Sequence, residues 1–226
     1  MSVQQTIEMS LEILLKQKIK ILGAGRTDTG VHAKQMYAHF DFEEPLDLEN
    51  LIYKLNAFLN KDIGIIKIHK VRHDSHARFD AISREYEYYI TQIKDVYNHD
   101  KKYFFSKKLD FDKIDKAIDI LKNTKNFKSF CRTKSDVTNY NCEIFDFNYE
   151  IKESEIIFRI RANRFLRNMV RSLIGTILDV SLNKISIKNL TEIIEKSNRI
   201  YAGPSVPAHA LFLSNVEYPK NVFLDE

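Results

Sequence analysis

A glycine-rich run near the start of the chain surrounds an aspartate whose side chain is a candidate for chemistry. Asp28 lies in the segment Gly-Ala-Gly-Arg-Thr-Asp-Thr-Gly-Val-His-Ala at residues 23–33. Thr27 and Thr29 can orient its carboxylate, and Arg26 is a nearby cation that would keep it ionised. An ionised and oriented carboxylate is suited to act as a nucleophile or a base. The alternative is that Asp28 only closes a turn by bonding to its own backbone.

The same glycines do not form a phosphate-binding loop. A dinucleotide fingerprint needs a third glycine five positions after Gly23, and that position is Asp28. A P-loop needs a Gly-Lys-Ser/Thr sequence, which this run lacks. A carboxylate at this point would also repel a phosphate. The run therefore indicates nucleophilic or acid–base chemistry rather than nucleotide binding.

The composition is that of a folded protein with a mild positive charge. Of the 226 residues, 44% are hydrophobic and 29% are charged, which argues against disorder. No apolar run approaches the roughly 20 residues of a membrane helix, and the first residues do not resemble a signal peptide. With only Cys131 and Cys142 in the chain, we expect a reduced, cytoplasmic protein. The net charge of +4 is a weak indication of a polyanionic partner.

Hydrophobic periodicity predicts an α+β protein with two halves, 1–105 and 106–226, and mainly antiparallel sheets. Polar residues 94–108 are predicted to link the halves, and Ser2 and Asp47 are predicted helix caps. The predicted helices are 3–16, 48–59, 112–122, 165–180 and 187–197, and the predicted strands are 18–22, 35–42, 63–72, 84–92, 143–151, 155–162 and 210–217.

Three arginines recur at helical spacing on the predicted helix 165–180. Arg164, Arg167 and Arg171 lie on a face away from its apolar stripe. They crowd the first turns, where the helix dipole disfavours cations. This placement indicates an external anion, either an RNA phosphate or an active-site carboxylate. The alternative is a solvated basic face.

Blocks of sequence recur in the order seen in one known family. After residues 23–33 come His-Ala-Arg-Phe at 76–79 and Arg-Glu-Tyr-Glu-Tyr at 84–88. Ala-Asn-Arg-Phe-Leu-Arg-Asn-Met-Val-Arg follows at 162–171, with Gly175 shortly after. The last block is Ala-Gly-Pro-Ser-Val-Pro-Ala at 202–208, then Leu-Phe-Leu at 211–213 and Val-Glu-Tyr at 216–218. Together these blocks, which span most of residues 2–219, resemble the TruA family of tRNA pseudouridine synthases.

The resemblance implies a fold and an activity. The fold would be two RRM- or ferredoxin-like α+β halves whose sheets join into one continuous sheet, with helices on one face and a central cleft. The activity would be isomerisation of uridine to pseudouridine in the anticodon stem-loop of tRNA, at about positions 38–40. The resemblance also implies a homodimer, with one tRNA contacting both subunits. The reaction requires no cofactor or metal.

The resemblance also implies roles for individual residues. Asp28 would be the catalytic carboxylate, with Arg171 from the other half paired to it. Tyr86 would stack on the target base, and strand alternation places Tyr88 on the same side. Arg26 would help to extrude the base or fill the vacated stack, and the alternative is a local salt bridge or a phosphate contact. Arg78 and Phe79 would line the pocket or support it. The spacing of Arg164 and Arg167 makes them the remaining candidates for binding the substrate.

Other functions fit the sequence less well. A non-catalytic tRNA-binding or chaperone-like protein would bind tRNA without turnover. A glycosidase-like enzyme would need a second carboxylate about 5–10 Å from Asp28, and none is evident. His69, His73 and His76 lie close in sequence, but no fourth ligand with regular spacing accompanies them, so a metal site is not expected.

The sequence departs from the family pattern at two places. Family members usually open with a β-strand, a Tyr-Asp-Gly loop and a Gly-Trp-Gln segment, whereas this sequence begins at the next helix and contains no Trp. We expect the lack of that strand to leave an unpaired edge in the first sheet and to lower stability. Arg167 and Asn168 also stand where members often carry histidines, which should tune RNA contacts.

Overall fold

The structure, a computed structural model, describes residues 1–133 and 137–224. The helices are α1 (Val3–Leu15), α2 (Leu48–Phe58), α3 (Phe111–Lys122), α4 (Met169–Ser181) and α5 (Ile187–Lys196). The strands are β1 (Leu22–Gly23), β2 (His32–Ala33), β3 (Ala38–His39), β4 (Ser83–Thr91), β5 (Tyr103–Phe104), β6 (Ile144–Lys152), β7 (Glu155–Ala162) and β8 (Leu211–Glu217). The predicted α+β class is confirmed.

The chain forms two compact units that are not continuous in sequence. The first unit comprises Met1–Arg26, Met36–Ala81 and the C-terminal residues from Tyr218. The second comprises Thr27–Gln35 and Ile82–Glu217. The predicted halves 1–105 and 106–226 are continuous in sequence and so differ from these units. Their boundary stays a prediction.

In the first unit, α1, α2 and the segment before β1 form a small apolar core. The helix caps are those predicted: Ser2 forms a capping box with Gln5, and the Asp47 carboxylate accepts from the Asn50 backbone N–H. The buried side chains of this core are Leu11, Ile19, Ile21, Leu51, Leu55 and Leu59. Strands β1 and β3 pair antiparallel with each other.

In the second unit, a six-stranded sheet has the order β2-β8-β4-β7-β6, with β5 beside β4. The β4–β7, β4–β8 and β6–β7 pairs are antiparallel, and the β2–β8 and β4–β5 pairs are parallel. Helix α3 packs against β6, α4 and α5. The predicted, mainly antiparallel pairing is therefore confirmed. The described strands form two sheets where one continuous sheet was expected, because β1 and β3 pair only with each other.

The strand predicted over 63–72 is wrong for the described structure. At Ile65, the side chain of Asn56 in α2 supplies the two hydrogen bonds that a neighbouring strand would have supplied, and residues 70 and 72 bond to the backbone of residues 224 and 222. Its side-chain amide donates to the Ile65 carbonyl at 2.8 Å, and its side-chain oxygen accepts from the Ile65 N–H at 2.7 Å. The only bridge in this range pairs Val71 with Phe223. The segment therefore packs apolar side chains on the first core without joining a sheet.

The helix predicted over 165–180 begins only at Met169. Asn168 has a φ of 65°, in the left-handed region, which a right-handed helix cannot include. Arg164 and Arg167 therefore precede α4, and the prediction that they share a helical face with Arg171 is wrong. Arg171 does lie in the first turn, where the helix dipole disfavours a cation.

Glu8 ties α1 to the chain that leads into β1. Its Oε1 accepts from the Gln4 side chain at 3.0 Å and from the Ile21 N–H at 3.1 Å. Lys20 Nζ donates to its Oε2 at 3.2 Å. The Gln4 and Ile21 hydrogen bonds outweigh the opposing effect of burial and lower the pKa of Glu8 below its ordinary value.

We predict that Glu8→Gln lowers the free energy of unfolding at pH 7 by about 1 kcal/mol. A carboxylate whose pKa is lower in the folded than in the unfolded state stabilises above the unfolded pKa, and this is lost as pH falls through the folded pKa. The gap between wild type and variant should therefore close below about pH 4. Urea unfolding followed by circular dichroism measures this difference in unfolding free energy, and Glu12→Gln on the exposed side of α1 is the control. A gap that persists at pH 2, or an equal effect of the control, would contradict this role.

Candidate active site

The carboxylate of Asp28 and the guanidinium of Arg171 form an ion pair. Arg171 Nη1 donates to Asp28 Oδ2 at 3.0 Å. The two side chains are only 19% and 20% exposed, so water screens the pair weakly. Arg171 Nε also donates to the Val206 carbonyl at 2.8 Å. The guanidinium is thus held at two points, and it holds the carboxylate in turn.

Helix α4 presents Arg171 from an otherwise buried surface. Every residue of α4 except Arg171 is buried. The Val206 N–H donates to the Arg171 carbonyl at 3.2 Å, so residue 206 binds both the backbone and the side chain of the arginine. The position of Arg171 therefore depends on how segment 202–206 lies on α4.

Two glycines allow segment 202–206 to approach α4 closely. A Cβ on Gly175 would lie 1.7 Å from the Pro204 carbonyl oxygen, and a Cβ on Gly203 would lie 2.8 Å from the Thr176 Cα. The Gly203 N–H donates to Thr176 Oγ1 at 3.0 Å. A side chain at either glycine would push the segment, and Val206 with it, away from the helix.

The turn that carries Asp28 leaves its side chain available to Arg171. The Val31 N–H donates to the Asp28 backbone carbonyl at 3.1 Å, and Gly30 has a φ of +85°, which favours glycine. Strand β2 follows at once and pairs with β8, which anchors the turn. Among the described residues, the Asp28 side chain makes no bond to its own backbone, so the turn-closing alternative does not describe it.

Tyr86 and Tyr88 lie on the same side of β4, but in different surroundings. Tyr86 is partly buried and meets the Phe165 ring edge to face, with 5.1 Å between ring centroids. Tyr88 is fully buried, and its hydroxyl donates to the Pro207 carbonyl at 3.0 Å. Glu87, on the opposite side, binds Lys34 at 2.5 Å. Tyr88 therefore belongs to the core, and it also supports the segment that holds Arg171.

Tyr86 is electrostatically coupled to Asp28. Burial raises the pKa of Tyr86 to about 12, and the neighbouring carboxylate of Asp28 also raises it, while Arg84 opposes the shift. The phenol is therefore neutral at physiological pH. A neutral ring can stack on a base without adding charge to the site.

The other predicted site residues lie in three places. Arg167 Nε is 3.9 Å from Asp28 Oδ1, and its side chain is 57% exposed. Arg164 is partly buried and makes no ion pair with any residue that the structure describes. Arg26, Arg78 and Phe79 belong to the first unit and are exposed, with the Arg78 guanidinium 5.8 Å from the Phe79 ring centroid. The structure therefore brings together Asp28, Arg171, Arg167 and Tyr86.

Sequence reasoning missed the partners that position these residues. The Val206 and Pro207 carbonyls hold Arg171 and Tyr88, and backbone atoms carry no residue-type signal. In the sequence, the block at 202–208 is informative only through its resemblance to the family. The Gly-Pro pair within it nevertheless indicates a constrained backbone. Phe165 was assigned to a helix, and it lies before α4 beside Tyr86.

The described residues contain neither a candidate metal site nor a membrane-spanning helix. Residues 1–133 and 137–224 contain no group of three or more His, Cys, Asp or Glu side chains arranged to hold a metal ion. No helix within these ranges has the length and apolar character needed to span a membrane.

The site combines one carboxylate, one guanidinium and one aromatic ring on an α+β fold. This combination is typical of an enzyme. A sequence model of the tRNA pseudouridine synthase family matches residues 117–219. A protein named tRNA pseudouridine synthase A from Parabacteroides distasonis is 47% identical over 224 residues, covering 99% of this chain and 89% of the relative. Its namesake from Bacteroides fragilis is 44% identical, with 98% and 89% covered. A tRNA pseudouridine synthase A 1 from Bacillus cereus is 36% identical, with 96% and 89% covered. The chain belongs to the tRNA pseudouridine synthase family.

We predict that Gly175→Ala damages both stability and the site. The added methyl group would overlap the Pro204 carbonyl, so we expect a loss of about 1–3 kcal/mol in unfolding free energy. Gly64→Ala is the matched control, because its methyl group would meet only the Asn56 side chain at 4.0 Å. Urea unfolding followed by circular dichroism compares the two variants. Equal stability of both variants would show that α4 and segment 202–206 are not in close contact.

Proposed function

We propose that this protein converts uridine to pseudouridine in tRNA, with Asp28 as the catalytic carboxylate. The observation that carries the proposal is the 3.0 Å pair between Asp28 and Arg171, which holds one carboxylate in a fixed orientation, close enough to Tyr86 to affect its pKa. Membership of the tRNA pseudouridine synthase family supports the reaction. The family match does not assign roles to residues, and the geometry suggests them.

The reaction rearranges one nucleoside without adding or removing atoms overall. The N1–C1′ bond of uridine breaks, the base turns, and a C5–C1′ bond forms. The proton on C5 leaves, and N1 gains a proton. A single carboxylate can start this sequence by attacking C1′, by adding to C6, or by taking the C2′ proton. All three routes require an ionised oxygen aimed at the nucleoside.

The two oxygens of Asp28 differ in how they are engaged. Oδ2 accepts the 3.0 Å hydrogen bond from Arg171, whereas Oδ1 has only the Arg167 guanidinium at 3.9 Å among the described residues. A carboxylate oxygen that accepts no hydrogen bond keeps more of its nucleophilic and basic character. We therefore assign Oδ1 as the reacting oxygen and Oδ2 as the oxygen that fixes the carboxylate.

The other proposed residues would bind the RNA around this centre. A uridine must leave its stack to reach Asp28, which costs a few kcal/mol. Tyr86 would restore stacking, which is worth roughly 1–3 kcal/mol. Arg26 would help to extrude the base, and Arg78 and Phe79 would contact it or its neighbours. Arg164 and Arg167 would bind phosphates.

We also propose the substrate region, the oligomeric state and the compartment. The family resemblance supports the anticodon stem-loop, at about positions 38–40, and a homodimer in which one tRNA contacts both subunits. The net charge of +4 supports binding that weakens with added salt. The sequence contains only two cysteines, Cys131 and Cys142, and both are buried, which supports a reducing compartment such as the cytoplasm, where tRNA is modified.

We predict that Asp28→Asn lowers the rate of pseudouridine formation in unmodified tRNA by at least about 10²-fold while tRNA binding is retained. Asn has the same shape as Asp but no ionised oxygen. Chemical labelling of pseudouridine and its mapping along the tRNA measure both the rate and the position. Asp112→Asn, at an exposed position on α3 of the same unit, controls for the loss of one negative charge.

The same assay separates the proposal from a non-catalytic tRNA-binding protein. That alternative expects no pseudouridine from the wild type and tRNA binding that survives Asp28→Ala. Product from the wild type that disappears in Asp28→Asn supports catalysis. If Asp28→Asn still forms the product at the wild-type rate, the Asp28 carboxylate is not required for the reaction.

We predict that Tyr86→Ala lowers kcat/KM by about 5- to 150-fold, the value of one stacked ring, whereas Tyr86→Phe has little effect. Because the pKa of Tyr86 is about 12, its phenol does not titrate between pH 6 and 9. The rate profiles of wild type and Tyr86→Phe should therefore be parallel over that range. Tyr89→Ala, on the opposite side of β4, is the control for loss of a ring. If Tyr86→Phe were as impaired as Tyr86→Ala, the hydroxyl rather than the ring would matter.

A further inference from the structure

A second cluster of hydrogen-bond donors surrounds Ser205, next to the segment that holds Arg171. Asn168 Nδ2 donates to Ser205 Oγ at 2.6 Å, and Arg199 Nη2 donates to the same oxygen at 3.0 Å. Arg199 Nη1 donates to the Ala202 carbonyl at 3.2 Å. Asn168, Arg199 and Ser205 are called the Ser205 cluster below.

The Ser205 cluster has more donors than acceptors. A serine hydroxyl accepts two hydrogen bonds and donates one, and both acceptor positions of Ser205 are occupied. No residue within 1–133 or 137–224 accepts its proton. Arg199 has five N–H donors, of which two are engaged. The cluster therefore presents hydrogen-bond donors for which the described residues provide no acceptor.

The charge of Arg199 is also uncompensated by the described part of the chain. Its guanidinium is partly buried, and no carboxylate of residues 1–133 or 137–224 lies within ion-pair distance of it. Burial lowers the pKa of Arg199, which is the expected effect of removing a cation from water without an anion beside it. A bound anion would stabilise this cation.

The Ser205 cluster lies beside the proposed reaction centre. Ser205 is followed by Val206, whose carbonyl accepts from Arg171, and Asn168 is preceded by Arg167, whose side chain faces Asp28. Asn168 has a left-handed backbone and immediately precedes α4. Its side-chain amide donates a hydrogen bond to Ser205. An anion held here would therefore lie close to the nucleoside that meets Asp28.

We infer that the Ser205 cluster binds one phosphodiester of the RNA backbone next to the target uridine. A phosphodiester carries one negative charge and two non-bridging oxygens, which match one guanidinium and one hydroxyl donor. Such a contact carries no base information and fixes the register of the strand. This inference rests on the proposed function and extends it to Arg199 and Ser205.

The test separates a phosphate contact from a purely structural brace by the salt dependence of RNA binding. Losing one phosphate contact reduces the slope of log K against log salt by about 0.7–0.9. Arg199→Gln and Arg199→Lys both break the hydrogen bonds to Ser205 and Ala202, but only Arg199→Gln removes the charge. The probe is an anticodon stem-loop RNA with cytidine in place of each uridine, which binds without turnover.

The expected result is a slope lower by about 0.7–0.9 for Arg199→Gln and an unchanged slope for Arg199→Lys. Arg161→Gln, whose guanidinium lies over the Phe145 ring, should keep the wild-type slope. If both Arg199 variants keep the wild-type slope, Arg199 only braces segment 202–206 and the inference is wrong.

Ser205→Ala tests the site independently if Arg199→Gln does not fold. The inference expects RNA binding to weaken by about three- to tenfold, the effect of one hydrogen bond, in a protein that still melts cooperatively. Unchanged binding by Ser205→Ala would overturn the inference. Pseudouridine formation by the wild type is measured beside these assays: its absence would defeat the proposed function, whereas unchanged slopes with normal product would defeat only the phosphate site.

Discussion

The structure of the site depends on one partly buried ion pair between Asp28 and Arg171. A guanidinium in the first turn of a helix is placed against the helix dipole, so an anion from outside the helix stabilises it. Asp28 supplies that anion from a turn 143 positions earlier in the chain. Each partner stabilises the charge of the other, and the geometry of the pair leaves Asp28 Oδ1 without a hydrogen bond from the described residues.

The elements around the pair serve to hold its two members in place. Strand β2 pairs with β8 immediately after the Asp28 turn, and the segment before β8 carries Val206, which binds Arg171. Gly175 and Gly203 let that segment lie directly on α4, and the Tyr88 hydroxyl donates a hydrogen bond to the Pro207 carbonyl of the same segment. The same strand that carries Tyr88 places Tyr86 beside the carboxylate. A disturbance of segment 202–208 should therefore reach every member of the site.

Much of this arrangement could be predicted from local sequence, and the rest depended on distant contacts. The caps at Ser2 and Asp47 and the strand β4 follow from residue type and alternation, so their predicted positions hold within one or two residues. The pairing of Asp28 with Arg171 was expected from family resemblance and from the unfavourable placement of the arginine. The start of α4 was missed because the left-handed Asn168 has no periodicity signal. In 63–72 the backbone bonds to the Asn56 side chain at Ile65 and to residues 222–224 at its end, and the alternation of the sequence does not reveal either contact. The Val206 carbonyl could not be foreseen, because every residue has one.

The most direct measurement of the central claim is a double-mutant cycle on pseudouridine formation with Asp28→Asn, Arg171→Met and the two combined. If the pair acts as one unit, the double variant is no slower than Asp28→Asn alone, so the two effects on the activation free energy are far from additive. Additive losses from the two substitutions would mean that Arg171 acts on the reaction independently of Asp28, and they would contradict this account.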